Sequence, residues 1–214
     1  MSDFSVGYFT RDENKEKVYP YLTEGELLIQ YNDEWVGKLS ALDWEKPQPQ
    51  TLALSKEMPL LYVMHAEDHG FSMKILHEEE IKFHFDVSYE VGIELYTETG
   101  IDLYGNNWWE DTNKREERHQ HIRAEWAEQL EQRGLLDHFF SNINAESLKA
   151  FQVFGISESC LLELSEILTI KNCATDGHQM IYALLDCLGL TQFSFVSYNY
   201  VSDGADDRFK VLNV

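Results

Sequence analysis

Two histidines four residues apart, His65 and His69 in HAEDH, raise the possibility of metal chemistry. On a helix this spacing turns both imidazoles to one side, as in HExxH zinc sites, but that motif needs Glu directly after the first His. Here the acids are Glu67 and Asp68, and the surrounding LLYVMHAEDHGFSMKILHEEEIKFHFDVSYE alternates as strands do. A tight turn at His69-Gly70 sets Lys74 opposite both His65 and His84 and holds the two rings about 10 Å apart. Zinc needs its nitrogens at about 2 Å. The sequence therefore predicts a solvated sheet face here, with no metal and no cofactor.

RHQHIR carries His119 and His121, which on a helix point about 200° apart and cannot chelate together. Arg115, His119 and Arg123 follow one another at i,i+4 and form a basic stripe that could hold an anion or a partner's carboxylate. The alternative is a solvated helix face. YGNNWWED is the stretch with the ingredients of a ligand surface, Asn107, Trp108, Trp109 and Glu110, because two adjacent tryptophans cannot both enter one core. The competing reading has Trp108 and Trp109 sealing the junction of a sheet and a helical part. DGADD places Asp203, Asp206 and Asp207 in one turn without the alternating calcium-loop pattern. No G-x-S-x-G elbow, phosphate loop or dinucleotide glycine fingerprint is present.

These residues must be positioned by the elements around them. From Phe4 to Val91 the pattern is strand-like. ELLIQYNDEWVGKL reads as a hairpin about Asn32-Asp33, EKPQPQ as a loop, and residues 60–67, 71–77 and 81–89 as an antiparallel meander. Its expected register puts Tyr62, Met64 and Ala66 on one apolar face with Phe71, Met73 and Ile75. A three-residue loop of Glu78, Glu79 and Glu80 carries that face on to Ile81, Phe83 and Phe85. His65 then faces solvent beside Lys74.

Helices are predicted from Thr112 or Asn113 to about Arg133 with Gly134 as stop, over 145–153 capped by Asn144, over 158–168 capped by Ser157, and over 177–187 capped by Asp176. TQFSFVSYNYVSDGADDRFKVLNV reads as a terminal hairpin. The expected class is α+β: an antiparallel β-meander in the N-terminal half, a helical segment after it and a C-terminal β-hairpin. The working division is 1–110 as a sheet subdomain, 111–190 as a helical subdomain and 191–214 as the hairpin, with one compact domain as the alternative.

Composition bounds the function. In 214 residues, 38 acidic against 17 basic side chains give a net charge of −21, densest in the first half. That field opposes phosphate backbones and anionic lipid and favours basic partners. No direct nucleic-acid or membrane binding is expected. Three cysteines, Cys160, Cys173 and Cys187, without a CxxC pair read as buried free thiols in a cytoplasmic protein. The function expected is a non-enzymatic interaction module, of inhibitor, immunity or adaptor type, that binds a basic protein. The alternative is a small-ligand protein or enzyme with a pocket where sheet and helices join.

Overall fold

The structure, a computed structural model, describes residues 4–40, 48–66, 69–90, 93–191, 193, 196–202, 204 and 208–212. Its strands are β1 (Phe4–Arg11), β2 (Glu26–Gln30), β3 (Trp35–Ser40), β4 (Leu60–Ala66), β5 (Gly70–His77), β6 (Glu80–Ser88) and β7 (Lys210–Val211). They pair antiparallel in one sheet of order β6-β5-β4-β1-β3-β2-β7. β1 thus lies at the centre, and beyond the reach of β3 it is completed from far along the chain: Val6 N donates to Val196 O at 2.7 Å, and Val196 N donates to Ser5 Oγ at 3.2 Å.

The helices are α1 (Lys15–Val18), α2 (Pro49–Glu57), α3 (Ile93–Tyr104), α4 (Arg115–Gln132), α5 (Asp137–Phe140), α6 (Ala145–Leu148), α7 (Glu158–Ile167), α8 (Ile170–Cys187) and α9 (Tyr198–Ser202). One sheet face, with Phe9, Trp35, Val63, Met73 and Phe85, is covered by helices from α3 onward through Leu130, Leu164, Leu184 and others. The opposite face, with Tyr8, Leu28, Val36 and Tyr62, is covered by Val18 of α1, Leu54 of α2 and Met58. Lys38 lies on this second face, buried and paired with Glu26.

The meander and the hairpin about Asn32-Asp33 stand where the sequence predicts them. The register of β4 does not. His65 pairs with Phe71 and Ala66 with Gly70, so Leu61, Val63 and His65 share the face of Phe71, Met73 and Ile75, and Tyr62 takes the place opposite Lys74. His65 is consequently buried, with 2% of its surface exposed. The reason is that β4 is apolar on both sides: a strand covered on both faces has no alternation by which parity can be read.

Phe71, Met73 and Ile75 do share a face with Phe83, Phe85 and Val87. They reach it by a two-residue turn, Glu78-Glu79, plus a bulge between Ile75 and Leu76, instead of a three-residue loop. Ile81 therefore pairs with Leu76 and stays exposed, off the shared core face. Both turn glutamates are left-handed, φ 57° and 62°. The turn is held against α2, where Ser55 O accepts from Glu78 N and Ser55 Oγ from Glu79 N.

Two helices, α2 and α3, occupy sequence read as strand or loop. α2 opens with Pro49 in its first turn, where no N–H is needed; the preceding residues 41–47 lie outside the described set. α3 carries Gly100 because a Cβ there would come within 2.6 Å of the Trp108 indole. Of the helices expected after residue 111, that over 158–168 stands closely at Glu158–Ile167. α4 starts at Arg115 with Lys114 at its cap position and no side-chain cap from Thr112 or Asn113. The stretch 145–153 is α-helical only over Ala145–Leu148 and then a 3-10 helix, and α8 begins at Ile170. Gly134 closes α4 with φ 63°, Asn144 builds a capping box and Ser157 Oγ accepts from Cys160 N. In the terminal segment Lys210–Val211 pairs with β2. Tyr198–Ser202 is helical where a hairpin arm was expected, and Asp203, Asp206 and Asp207 lie outside the described residues.

Candidate functional site

α8 is not one continuous helix. Asp176 has φ −159° and ψ 95°, and its Oδ1 accepts the backbone N–H of Gln179, so it caps a second helical run inside α8. This is the cap that the sequence places at Asp176; the run before it, capped by Thr169, was not foreseen. The break opens a cleft of about 540 Å³ between the end of β6, α3, α4 and α8. Its walls include Tyr89, Tyr96, Trp126, His119, Arg123 and the turn Thr175–Gln179.

Each wall has a local cause. His119, Arg123 and Trp126, spaced four and three apart, share one face of α4. Neighbouring Ile122 and Leu130 are buried and fix that helix's rotation. Gly177 follows the break, and a Cβ there would lie 3.3 Å from the Tyr89 ring, so glycine lets Tyr89 close on the helix. The Tyr89 and His178 rings then stack with centroids 4.3 Å apart. Behind them the Tyr89 hydroxyl lies 3.2 Å from Nε2 of buried His65.

Across the cleft Tyr96 Oη is 2.5 Å from His119 Nδ1, with Trp126 edge-on to the Tyr96 ring at 5.8 Å. Burial pushes the Tyr96 phenol up, and the Arg123 guanidinium opposes this by charge and by hydrogen bond. Tyr89 is pushed up too, by burial first and then by Cys173, Tyr182 and Asp176. Both phenols are therefore protonated at neutral pH. Tyr96 Oη and His119 Nδ1 are hydrogen-bonded to each other, and the Arg123 charge lies close enough to oppose the effect of burial on the phenol.

Among the described residues, the cleft offers flat apolar walls with one guanidinium and two imidazoles, against one lining carboxylate, Asp176, that is already engaged as a cap. Aromatic faces can stack on a flat group, and a guanidinium can pair with a negative charge. Cys173, behind the wall, is pushed by burial to about 11 and stays a thiol. Among the described residues no group of three or more His, Cys, Asp or Glu is arranged to hold a metal ion. His65 and His69 do not converge, since His69 is exposed and pairs with Glu90 at 2.7 Å.

Of the basic stripe, His119 and Arg123 line the cleft, while Arg115 is exposed in the first turn of α4 and does not. Trp108 is buried against Tyr96 and His119, at 5.9 and 5.2 Å, and backs the cleft without lining it. Trp109, Asn107 and Glu110 are exposed and lie outside the cleft walls. Sequence reasoning missed Tyr89, Tyr96, Trp126 and His178. The one local signal for them was the capping Asp176-Gly177, which marks a helix start beside His178.

Among the described residues no helix is long and apolar enough to cross a membrane. No protein-family model matches the chain, and no curated protein or solved structure matches it significantly.

Proposed function

We propose that this protein binds a small, flat, anionic molecule in the cleft between α3, α4 and α8. The observation that carries this reading is the meeting of Arg123, His119 and His178 with the faces of Tyr89, Tyr96 and Trp126 on a chain of net charge −21. Salt screens the distant carboxylates beyond about 8 Å at physiological ionic strength, so an anion inside the cleft feels the guanidinium first. Binding, not turnover, is the activity supported, because His119 Nδ1 is already hydrogen-bonded to Tyr96 and the nearby thiol is protonated.

Trp126 fluorescence tests this directly. Aromatic carboxylates and nucleoside monophosphates should give saturable quenching that Arg123→Gln weakens. Flat titrations across both classes, or quenching indifferent to Arg123→Gln, would overturn the reading.

A second reading takes the acidity as functional, in a cytoplasmic module that captures a basic partner. It is supported by a groove of about 670 Å³ lined by Asp12, Glu13, Asp33, Glu34 and Glu57. It ranks second because Arg11 already neutralises Glu34 at 2.6 Å and Lys15 neutralises Asp12 at 3.3 Å. Capture of polylysine that fails to weaken between low and physiological salt would remove it.

A further inference from the structure

We infer that Cys160 and Cys187 form a reversible oxidation site, closing a disulfide between the first turn of α7 and the last turn of α8. The two sulfurs lie 2.6 Å apart, inside van der Waals contact for separate thiols. A disulfide closes such a gap to about 2.05 Å. The approach is reciprocal: Cys160 Sγ is 3.2 Å from the Cys187 carbonyl oxygen, and Cys187 Sγ is 3.7 Å from that of Cys160. Each sulfur thus lies beside the other residue's backbone, which holds the two sulfurs together. Both residues are half-buried, which leaves room for a small oxidant, whereas Cys173 is buried.

The order of events follows from the surroundings. Burial pushes the Cys187 thiol up, and the contact with Cys160 and the charge of Glu163 add to this. Cys187 is therefore held protonated, and Cys160 is the sulfur that meets the oxidant. With a peroxide, the Cys160 sulfur attacks one oxygen, the O–O bond breaks and the thiol proton passes to the departing hydroxide, giving a sulfenic acid and one water. Cys187 sulfur then attacks the Cys160 sulfur and the S–O bond breaks, giving the disulfide and a second water. Two electrons leave the pair of sulfurs and reduce the peroxide. A glutathione-class thiol reverses the reaction by exchange, which suits a reducing compartment.

The bridge has a mechanical meaning in this fold. The end of α8 is already fixed to the β2–β3 hairpin, because Trp35 Nε1 donates to Leu188 O at 3.0 Å and Asn32 Nδ2 donates to Gly189 O at 2.8 Å. Oxidation ties the start of α7 to that anchored end.

The test is to expose the folded protein to stoichiometric hydrogen peroxide and measure intact mass, titratable thiols in denaturant and the melting temperature. The expected result is a mass about 2 Da lower and one titratable thiol left of three, with a non-reduced peptide joining Cys160 to Cys187. The melting temperature should rise by on the order of 5 °C and fall back on reduction. Cys173→Ala should keep the mass change, the Cys160–Cys187 peptide and the temperature rise with no titratable thiol left, and Cys160→Ser or Cys187→Ser should each lose the mass change and the temperature rise. Three thiols remaining, added oxygen on unlinked sulfurs, or a bridge through Cys173 would each overturn the inference.

Discussion

The Tyr89 ring stacks on the His178 imidazole at 4.3 Å while its hydroxyl stands 3.2 Å from Nε2 of His65, so one tyrosine joins the end of β6 to both α8 and the buried core. Tyr89→Phe keeps the stack and leaves His65 Nε2 without that partner. It should lower stability by about 1 kcal/mol. Tyr89→Ala empties the wall and should cost about 3 kcal/mol. Urea unfolding distinguishes these; equal losses would mean that the hydroxyl, not the ring, carries the contribution.

The arginines of α4 should separate by position. Arg123→Gln removes the guanidinium from the cleft and should weaken binding of an aromatic anion by about 10- to 100-fold, the loss of a charge-assisted hydrogen bond. Arg115→Gln, outside the cleft, should change affinity less than about twofold. Calorimetric titration of both variants decides whether the cleft or the whole stripe is the receptor.

The turn at Glu78-Glu79 holds two successive side chains in the left-handed region. A left-handed L-residue costs about 1–2 kcal/mol relative to one that tolerates it. Replacing the pair by Asn-Gly, the sequence such a hairpin turn favours, should raise the melting temperature by about 2–4 °C. A fall in melting temperature would show that the glutamates contribute more through Lys56 and Lys82 than the backbone loses.

Lys38 and Glu26 are buried together against the second sheet face. Breaking the pair by Glu26→Gln removes the carboxylate that faces this buried ammonium and should cost about 3 kcal/mol. The double variant Glu26→Leu with Lys38→Met removes both charges and should recover most of that loss. Chemical denaturation of the single and double variants measures the difference.

Alkali should unfold the protein before it would unfold one without buried acids. Folding raises Cys173 from its ordinary 9.0 to about 11, and it raises Tyr31 and Tyr89 above their ordinary 10.0, in each case chiefly by burial. Folded-state values raised in this way leave their contribution intact below pH 9. Above it the unfolded chain gives up protons that the folded chain keeps, and stability falls as pH rises. Cys173 alone accounts for on the order of 2 kcal/mol by pH 11. Denaturation midpoints measured from pH 8 to 11 should decline from pH 9 onward, less steeply in Cys173→Ala, and a flat profile would refute the assignment.

The strands, turns and caps were legible in the sequence because each leaves a local mark: Asn32-Asp33 between alternating runs, Asn144 and Ser157 before helices, Gly134 after one. The parity of β4 left none, since Leu60 to Met64 is apolar at every position and only the connection length at 67–69 decides which side His65 takes. α3 was not legible from its own residues, and the reason for its Gly100, the Trp108 indole 2.6 Å from where a Cβ would stand, comes from a later segment. The cleft was half legible. His119 and Arg123 shared one helical stripe, whereas Tyr89, Tyr96 and His178 come from three other segments that only the tertiary fold brings together.

The central placement of β1 has a kinetic consequence. Ser5 and Val6 each obtain a hydrogen-bond partner from Val196, a residue 191 positions from Ser5. Closing so long a loop is slow, and chains rich in such distant pairings fold in milliseconds to seconds. Until Val196 arrives, that edge of β1 presents unpaired amides to any extended segment nearby, so the interval before closure is when the chain is most open to pairing with another copy of itself.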